Sequence, residues 1–342
     1  MSTVHEGVPN DVAAVEEIMR RGGPALRERM ARTEEHLERV TSQAGAPLAV
    51  HATGTIAAGG KRLRPLLVVL AAETAGGPSS AADGEQRLVR AAVAVELVHS
   101  ATLVHDDLID GAQLRRGRPT VAAQAGRETA IATGDLLFSR AFAELALNQD
   151  VEQLRILSQA SSALAAGELL QREDAYASDV AVERYLERCR LKTAALFEAA
   201  CRLGALLSAG ASASLAVSLG EFARRIGLAF QLLDDVLDVS GPVQRTGKTR
   251  GTDLLDGTVT LPLILARERD PELAAFDLAS LRGPAQAEEL CERIAATGAL
   301  DEAREHALSI VAEAKASLPR LFPDGSGALL DLVADAVVER YC

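Results

Sequence analysis

The chain has 342 residues, 48% of them hydrophobic but only 3% aromatic and none of them Trp, so its core must be assembled mainly from Ala, Leu and Val, which favours packed helices. A formal net charge of −12 disfavours nucleic acid as a partner, because phosphate backbones are held by basic faces. The opening "MSTVHEGVPNDVAAVEEIMRR" lacks the apolar centre of a signal peptide. No apolar run approaches the roughly 18 residues that span a bilayer, so no transmembrane segment is expected. Cys189, Cys201, Cys291 and Cys342 sit at neither metal-ligand nor redox spacing, which fits a reducing, cytoplasmic setting.

Residues 1–10 are expected to be loose. Helical periodicity then runs from Val12 to about Val40, broken early at Gly22, Gly23 and Pro24. "AAGGKRLRP" (Ala57 to Pro65) reads as a basic turn before the apolar "LLVVLAAETA", and "GGPSSAADGE" (Gly76 to Glu85) as a loop. A long apolar helix is predicted from Gln86 to Ile109. Others follow over Thr129–Asn148, Val151–Arg172, Val180–Leu207 and Leu215–Val239. Ser240 to Gly257 reads as a Gly-rich loop, and helical patterns continue from Pro262 to Cys342. With no strand alternation and no linker, the expectation is one all-α domain over residues 1–342, a single-domain helical bundle around a central cavity.

One short motif occurs twice. "DDLID" begins at Asp106 and "DDVLD" at Asp234, and each ends an apolar helical run. Residues i and i+4 of a helix are offset by only about 40° around its axis. Asp106 and Asp110 therefore share a face, as do Asp234 and Asp238, with Asp107 and Asp235 flanking. Like charges so placed repel unless a counter-charge intervenes. Taken singly, such a motif is as well explained by a solvated acidic face. Two copies, each closing a greasy helix, point instead to two acidic rims facing one cavity and holding Mg²⁺, which takes oxygen ligands and bridges carboxylates to substrate phosphates.

Basic residues stand close by in sequence. Lys61, Arg62 and Arg64 lie in the first Gly-rich turn, and Arg115 and Arg116 follow the first acidic motif. Lys192 lies in "RCRLKTAALFEAA", and Lys248 in the loop after the second motif. Each alone reads as surface charge. Their placement suggests a divided phosphate site, one diphosphate held through metal and the other by cations alone.

These stretches, taken together, resemble the trans-isoprenyl diphosphate synthases, or polyprenyl synthetases. The matching segments run in order: "GGKRLRP", "LVHSATLVHDDLID", "RRGRPT", "GDLLFSRAF", "KTAALF", "GLAFQLLDDVLD" and "GKTRGTDLLDGTVTLPL", within a motif-bearing core of about 57–265. The resemblance implies Mg²⁺-dependent head-to-tail joining of isopentenyl diphosphate to an allylic diphosphate by a homodimer. It implies that Asp106, Asp107, Asp110, Asp234, Asp235 and Asp238 bind Mg²⁺, three ions with substrate bound. Arg115, Lys192, Thr193, Gln231 and Lys248 would then contact the allylic diphosphate, and Lys61, Arg64, His99 and Arg116 isopentenyl diphosphate. For His99 the spacing alone says nothing, since a lone His in an apolar helix is more often a core residue.

Product length is expected to be set along the helix that carries "DDLID". Thr102 lies one turn, about 5.4 Å, before Asp106, with Ala101 beside it. In short-chain members of the family, bulky aromatics at these positions close the pocket. Both are small here, and the local stretch is most like long-chain synthases, so a product beyond geranylgeranyl is expected. Small residues also serve simply to pack helices closely. Alternatives are a geranylgeranyl or farnesyl diphosphate synthase, a class I terpene cyclase, or a non-catalytic synthase subunit. The intact "DDVLD" and "GGKRLRP" argue against the last two.

Overall fold

A computed structural model describes residues 10–43, 45–241 and 250–339. Among these the chain is almost entirely helical, with one two-residue hairpin, so the expected all-α class is what is found. The elements that build the site are α1 (Asn10–Arg21), α2 (Gly23–Ser42), α3 (Leu48–Ala57), α4 (Leu63–Thr74) and α5 (Gly84–Ile109). They continue with β1 (Leu114–Arg115), β2 (Arg118–Pro119), α6 (Val121–Ala125), α7 (Arg127–Ala146), α8 (Val151–Glu173) and α9 (Val182–Cys189). A π-helical turn (Arg190–Ala194) leads into α10 (Ala195–Leu206), then α11 (Ala213–Ser240) and a short α12 (Thr252–Leu255). Further helices run on to Glu339.

The core forms around α4, α5, α10 and α11. Leu66 through Ala72 are all buried, so α4 is apolar on every side, as a helix enclosed by others must be. It packs on α5 and α10, and α10 on α11. With few aromatics to fill space, close approach substitutes for bulk. A Cβ at Gly204 of α10 would lie 2.1 Å from the carbonyl oxygen of Val68 in α4.

Local chemistry sets the helix starts. Asp150 accepts from the backbone N–H of Glu152 at 2.9 Å to cap α8, and the Ser212 hydroxyl accepts from Leu215 N–H at 3.1 Å to cap α11. Gly111, in the left-handed region at φ 65°, turns the chain out of α5 just after the first acidic motif.

Several boundaries differ from the sequence reading. The stretch before the basic turn is a helix, α3, whose mean hydropathy is high but whose apolar residues form no clear stripe. The predicted Val180–Leu207 helix is interrupted by the π turn, which adds a residue without disturbing the apolar rhythm on either side. The strands are too short for alternation to reveal. Finally, α5 does have the length and composition of a membrane span, which the reading by runs had dismissed. Yet 72% of its apolar window is buried inside the fold, so the helix is a core element here. Cys189, Cys201 and Cys291 are free and buried, and Cys342 lies outside the described residues.

Candidate active site

Both acidic motifs sit at the C-terminal ends of their helices, and the folding of α5 against the α10–α11 pair brings those ends to one cavity. Its lining includes Asp106 and Asp110 from the first motif and Asp235 from the second, with Lys192, Thr193 and Gln231 between them. The two rims therefore do face a shared space. Arg115 and Leu103 line this cavity and also an adjoining one, whose wall includes Arg62, Glu96, Arg116 and Arg118. The molecule thus has an acidic chamber and a basic chamber with a common partition.

Each carboxylate has a distinct environment. Asp106 is pushed up to about 6, chiefly by burial, although Lys192 pulls the other way. Asp107 accepts from Nε of Arg115 at 2.6 Å, and Asp110 from the guanidinium of Arg172. Asp235 is buried. It accepts from the Tyr185 hydroxyl and from Nε2 of Gln231, each at 2.7 Å, and Gln231 in turn accepts from Thr193 at 2.7 Å. Burial, and next the charge of Asp253, push Asp235 up to about 8. Asp238 accepts from the backbone N–H of Asp253 at 3.2 Å, which fastens α12 against the second motif. Asp234 lies partly buried on the same helix end.

The π turn presents Lys192 and Thr193. Lys192 is bonded to Glu168 of α8, and Gly167 makes room for the turn, since a Cβ there would lie 2.5 Å from the backbone nitrogen of Lys192. In the basic chamber Arg62 and Arg116 both have left-handed backbone, with φ of 48° and 52°. Such strain is tolerated where the surroundings over-determine it. Arg62 is held by Glu34 at 2.6 Å, Glu96 at 2.9 Å and the carbonyl of Ile56 at 2.8 Å. Gly60 lets the Arg116 guanidinium lie against the turn, where a Cβ would come within 2.8 Å of Nη1.

Arg64 is driven down to about 10, mainly by burial; its guanidinium stacks 4.9 Å from the Phe197 ring centroid, and its buried Nε has no hydrogen-bond partner among the described residues. His99 is held well below its usual value, first by burial and then by Arg64, Arg116, Arg115 and Arg62 around it. Arg62, Arg64, Arg115 and Arg116 are thus neighbours around His99, although neither Arg64 nor His99 lines either chamber. Arg62, for which sequence reasoning had no specific role, lines the basic chamber together with Ala58 and Gly59 of the same turn. Lys61 is partly buried in that turn but does not line it. Lys248 lies outside the described residues.

Ala101 is fully buried and Thr102 partly so, its hydroxyl donating to the carbonyl of His99 at 2.7 Å; neither lines the two chambers. Sequence reasoning missed seven members of the acidic chamber: Leu103, Gln171, Arg188, Cys189, Asp253, Asp256 and Thr258. Two of these were visible as the spaced acids of "TDLLDG". Arg188 was not, because nothing local shows that its Nη2 reaches the carbonyl of Val259 at 2.6 Å.

Oxygen donors at this density suit a hard divalent cation. Among the described residues no three His, Cys, Asp or Glu side chains converge closely enough to hold one by themselves. Mg²⁺ takes one or two carboxylates and completes its shell with water and phosphate oxygens.

Known proteins are similar to this chain in sequence and fold. Residues 47–296 match the family model described as polyprenyl synthetase. The chain is 40% identical over 254 residues to heptaprenyl diphosphate synthase component 2 of Geobacillus stearothermophilus, covering 73% of this chain and 76% of the relative. It is 38% identical over 291 residues to geranylgeranyl diphosphate synthase of Methanosarcina mazei, covering 83% and 86%. The crystal structure of a polyprenyl synthase from Caulobacter crescentus CB15, complexed with calcium and isoprenyl diphosphate, superposes with a TM-score of 0.85 at 36% identity over 96% of this chain and 98% of that one. With two acidic helix ends over one chamber and a basic chamber beside it, the chain belongs to the polyprenyl synthetase family and is a prenyltransferase.

Proposed function

We propose that this prenyltransferase condenses isopentenyl diphosphate head to tail with an allylic diphosphate to give a long-chain all-trans polyprenyl diphosphate. One observation carries the reading: Arg115 belongs to both an acidic and a basic chamber, so two diphosphates can sit side by side, one on the carboxylate rims and one on cations. Asp106, Asp107, Asp110, Asp234, Asp235 and Asp238 are the groups that would hold Mg²⁺, three ions with substrate bound. When bound, the metal offsets negative charge on the departing diphosphate. Arg115, Lys192, Thr193, Gln231 and Lys248 orient that diphosphate and stabilise its leaving. Leu103, which lines both chambers, is the apolar side chain placed to keep water from the allylic cation. Lys61, Arg64, His99 and Arg116 hold isopentenyl diphosphate without ionising it. Its double bond attacks C1 of the cation, a carbon–carbon bond forms, and a proton leaves. No protein base is assigned; the departed diphosphate is the nearest acceptor.

The small Ala101 and Thr102 support a product longer than geranylgeranyl. The relatives bracket this choice, from geranylgeranyl to heptaprenyl. A homodimer in the cytoplasm is the proposed state. Val151 and Leu169 of α8 are 80% and 65% exposed, an apolar edge suited to a second copy. A different reading draws on the name of one relative, a "component 2": this chain would then need a dissimilar subunit.

The deciding assay incubates the single purified chain with Mg²⁺, isopentenyl diphosphate and allylic primers, and sizes the dephosphorylated products. Chains of more than four isoprene units from this protein alone are expected. Products that stop at three or four units would refute the length. Inactivity alone, cured by a partner, would favour the two-component reading. Hydrocarbon or alcohol formed without isopentenyl diphosphate would indicate a cyclase.

A further inference from the structure

Beside the first acidic motif lies an ion-pair chain that runs from Asp110 through Arg172 and Glu168 to Lys192. Arg172, at the last turn of α8, bonds Asp110 through Nη2 and donates from Nε to Glu168 at 3.0 Å. Glu168 also holds Lys192. The guanidinium of Arg172 is about one-third exposed, with a side-chain exposure of 36%, while Glu168 is at 13%. Arg172 therefore has a sheltered anchor in Glu168 and a more exposed partner in Asp110, at 29%. On Asp110 it binds Oδ1 and offsets charge that the motif would offer to a cation. Asp107 of the same motif is paired with Arg115 at 2.6 Å, and Asp106 is buried with the charges of Lys192 and Arg115 acting on it.

We propose that Arg172 is a resident counter-ion of the first acidic motif, which a divalent cation must displace from Asp110 and which remains tethered to Glu168 at the mouth of the chamber. This inference rests on the reading of Asp106 and Asp110 as metal ligands. Its physical content is competition. A guanidinium on Asp110 offsets the negative charge that would attract a divalent ion, so the empty protein is stabilised at the expense of metal affinity. Once diphosphate is present, the displaced cation has a new anion within reach, and the penalty disappears. Arg172 thus makes metal entry depend on diphosphate entry. It is a positioning residue; it touches no reacting atom.

The experiment measures Mg²⁺ binding by titration calorimetry on the full-length chain, with and without inorganic diphosphate, alongside melting in EDTA. Arg172→Gln should bind Mg²⁺ alone about tenfold more tightly than the wild type, melt lower in EDTA, and gain more from added Mg²⁺. With diphosphate the two proteins should differ by less than about threefold. Arg172→Lys, which keeps the charge, should restore weak Mg²⁺ binding. Arg190→Gln removes the same charge from a guanidinium paired at 3.3 Å with Glu187 and should change little. Equal or weaker Mg²⁺ binding by Arg172→Gln overturns the proposal, and so does an equal gain in Arg190→Gln. Failure of either protein to bind Mg²⁺ even with diphosphate would overturn the metal-site reading itself, and this proposal with it.

Discussion

The hydroxyl of Tyr185 donates a 2.7 Å hydrogen bond to Oδ2 of Asp235, and both residues are buried. It is a link between α9 and α11 made by two buried groups, the second at the edge of the acidic chamber. Removing the hydroxyl in Tyr185→Phe leaves a buried carboxyl oxygen short of a donor. The expected cost is about 1–3 kcal/mol. It would be read as a lower urea midpoint for the metal-free chain at an unchanged slope. An unshifted midpoint would mean that the bond contributes nothing net.

Thr102→Phe should shorten the product while leaving the first condensation intact. Thr102 is only partly buried, so an aromatic ring has somewhere to go. Ala101→Phe should act the same way but fold less well, because Ala101 is fully enclosed and overpacking costs about 1–3 kcal/mol. Chromatography of the dephosphorylated products checks both. Unchanged lengths in the two variants would put the growing chain along another wall.

Gly167 is where α8 makes way for the π turn. In Gly167→Ala the new Cβ would meet the backbone nitrogen and Cα of Lys192 at 2.5 and 2.8 Å, and backbone cannot yield as a side-chain tip can. Loss of about 1–3 kcal/mol is expected. Because the displaced atoms carry Lys192 and Thr193, turnover should drop at least tenfold, the scale expected when a charged contact is misplaced. Melting temperature and initial rate, measured on one preparation, test the pair of effects.

Acid stability should depend on Glu85, which ties α5 to α2. Arg29 donates to it at 3.0 and 2.6 Å, and that hydrogen bonding holds its carboxyl below the ordinary value. A carboxyl lowered in the folded state stabilises above its unfolded value, and the benefit is lost as pH falls through the folded one. Glu85→Gln should therefore destabilise at neutral pH and converge with the wild type in acid. The Glu85 side chain is 43% exposed, so screening limits the difference to less than about 1 kcal/mol. Curves of unfolding free energy against pH that stay parallel down to the acid limit would contradict it.

Much of this was legible in the sequence because it is local or repeated. A helix-ending Asp-Asp-x-x-Asp, written twice, placed Asp106 and Asp235 before any coordinates did. The helical class followed from an Ala- and Leu-rich chain without strand rhythm. What stayed hidden is relational. Asp235 reads as a metal-facing acid in "DDVLD", yet both its oxygens accept hydrogen bonds, from Tyr185 and Gln231. Arg62 looked like one of three equivalent cations, but only its left-handed backbone turns it into the basic chamber. The pairing of Arg172 with Asp110 spans 62 positions, and no spacing rule reaches that far.

The π turn at Arg190–Ala194 has a consequence for how the molecule can vary. One surplus residue rotates everything after it by roughly 100° relative to an uninterrupted helix. The Tyr185 side and the Phe197 side of that rod are consequently phased to different neighbours, Tyr185 to α11 through Asp235 and Phe197 to Arg64. A single-residue deletion between Cys189 and Ala195 would straighten the rod and satisfy its backbone better. It would also put one half or the other out of step with its neighbours. The irregularity is a clutch between two helical phases, and Lys192 and Thr193 ride on it.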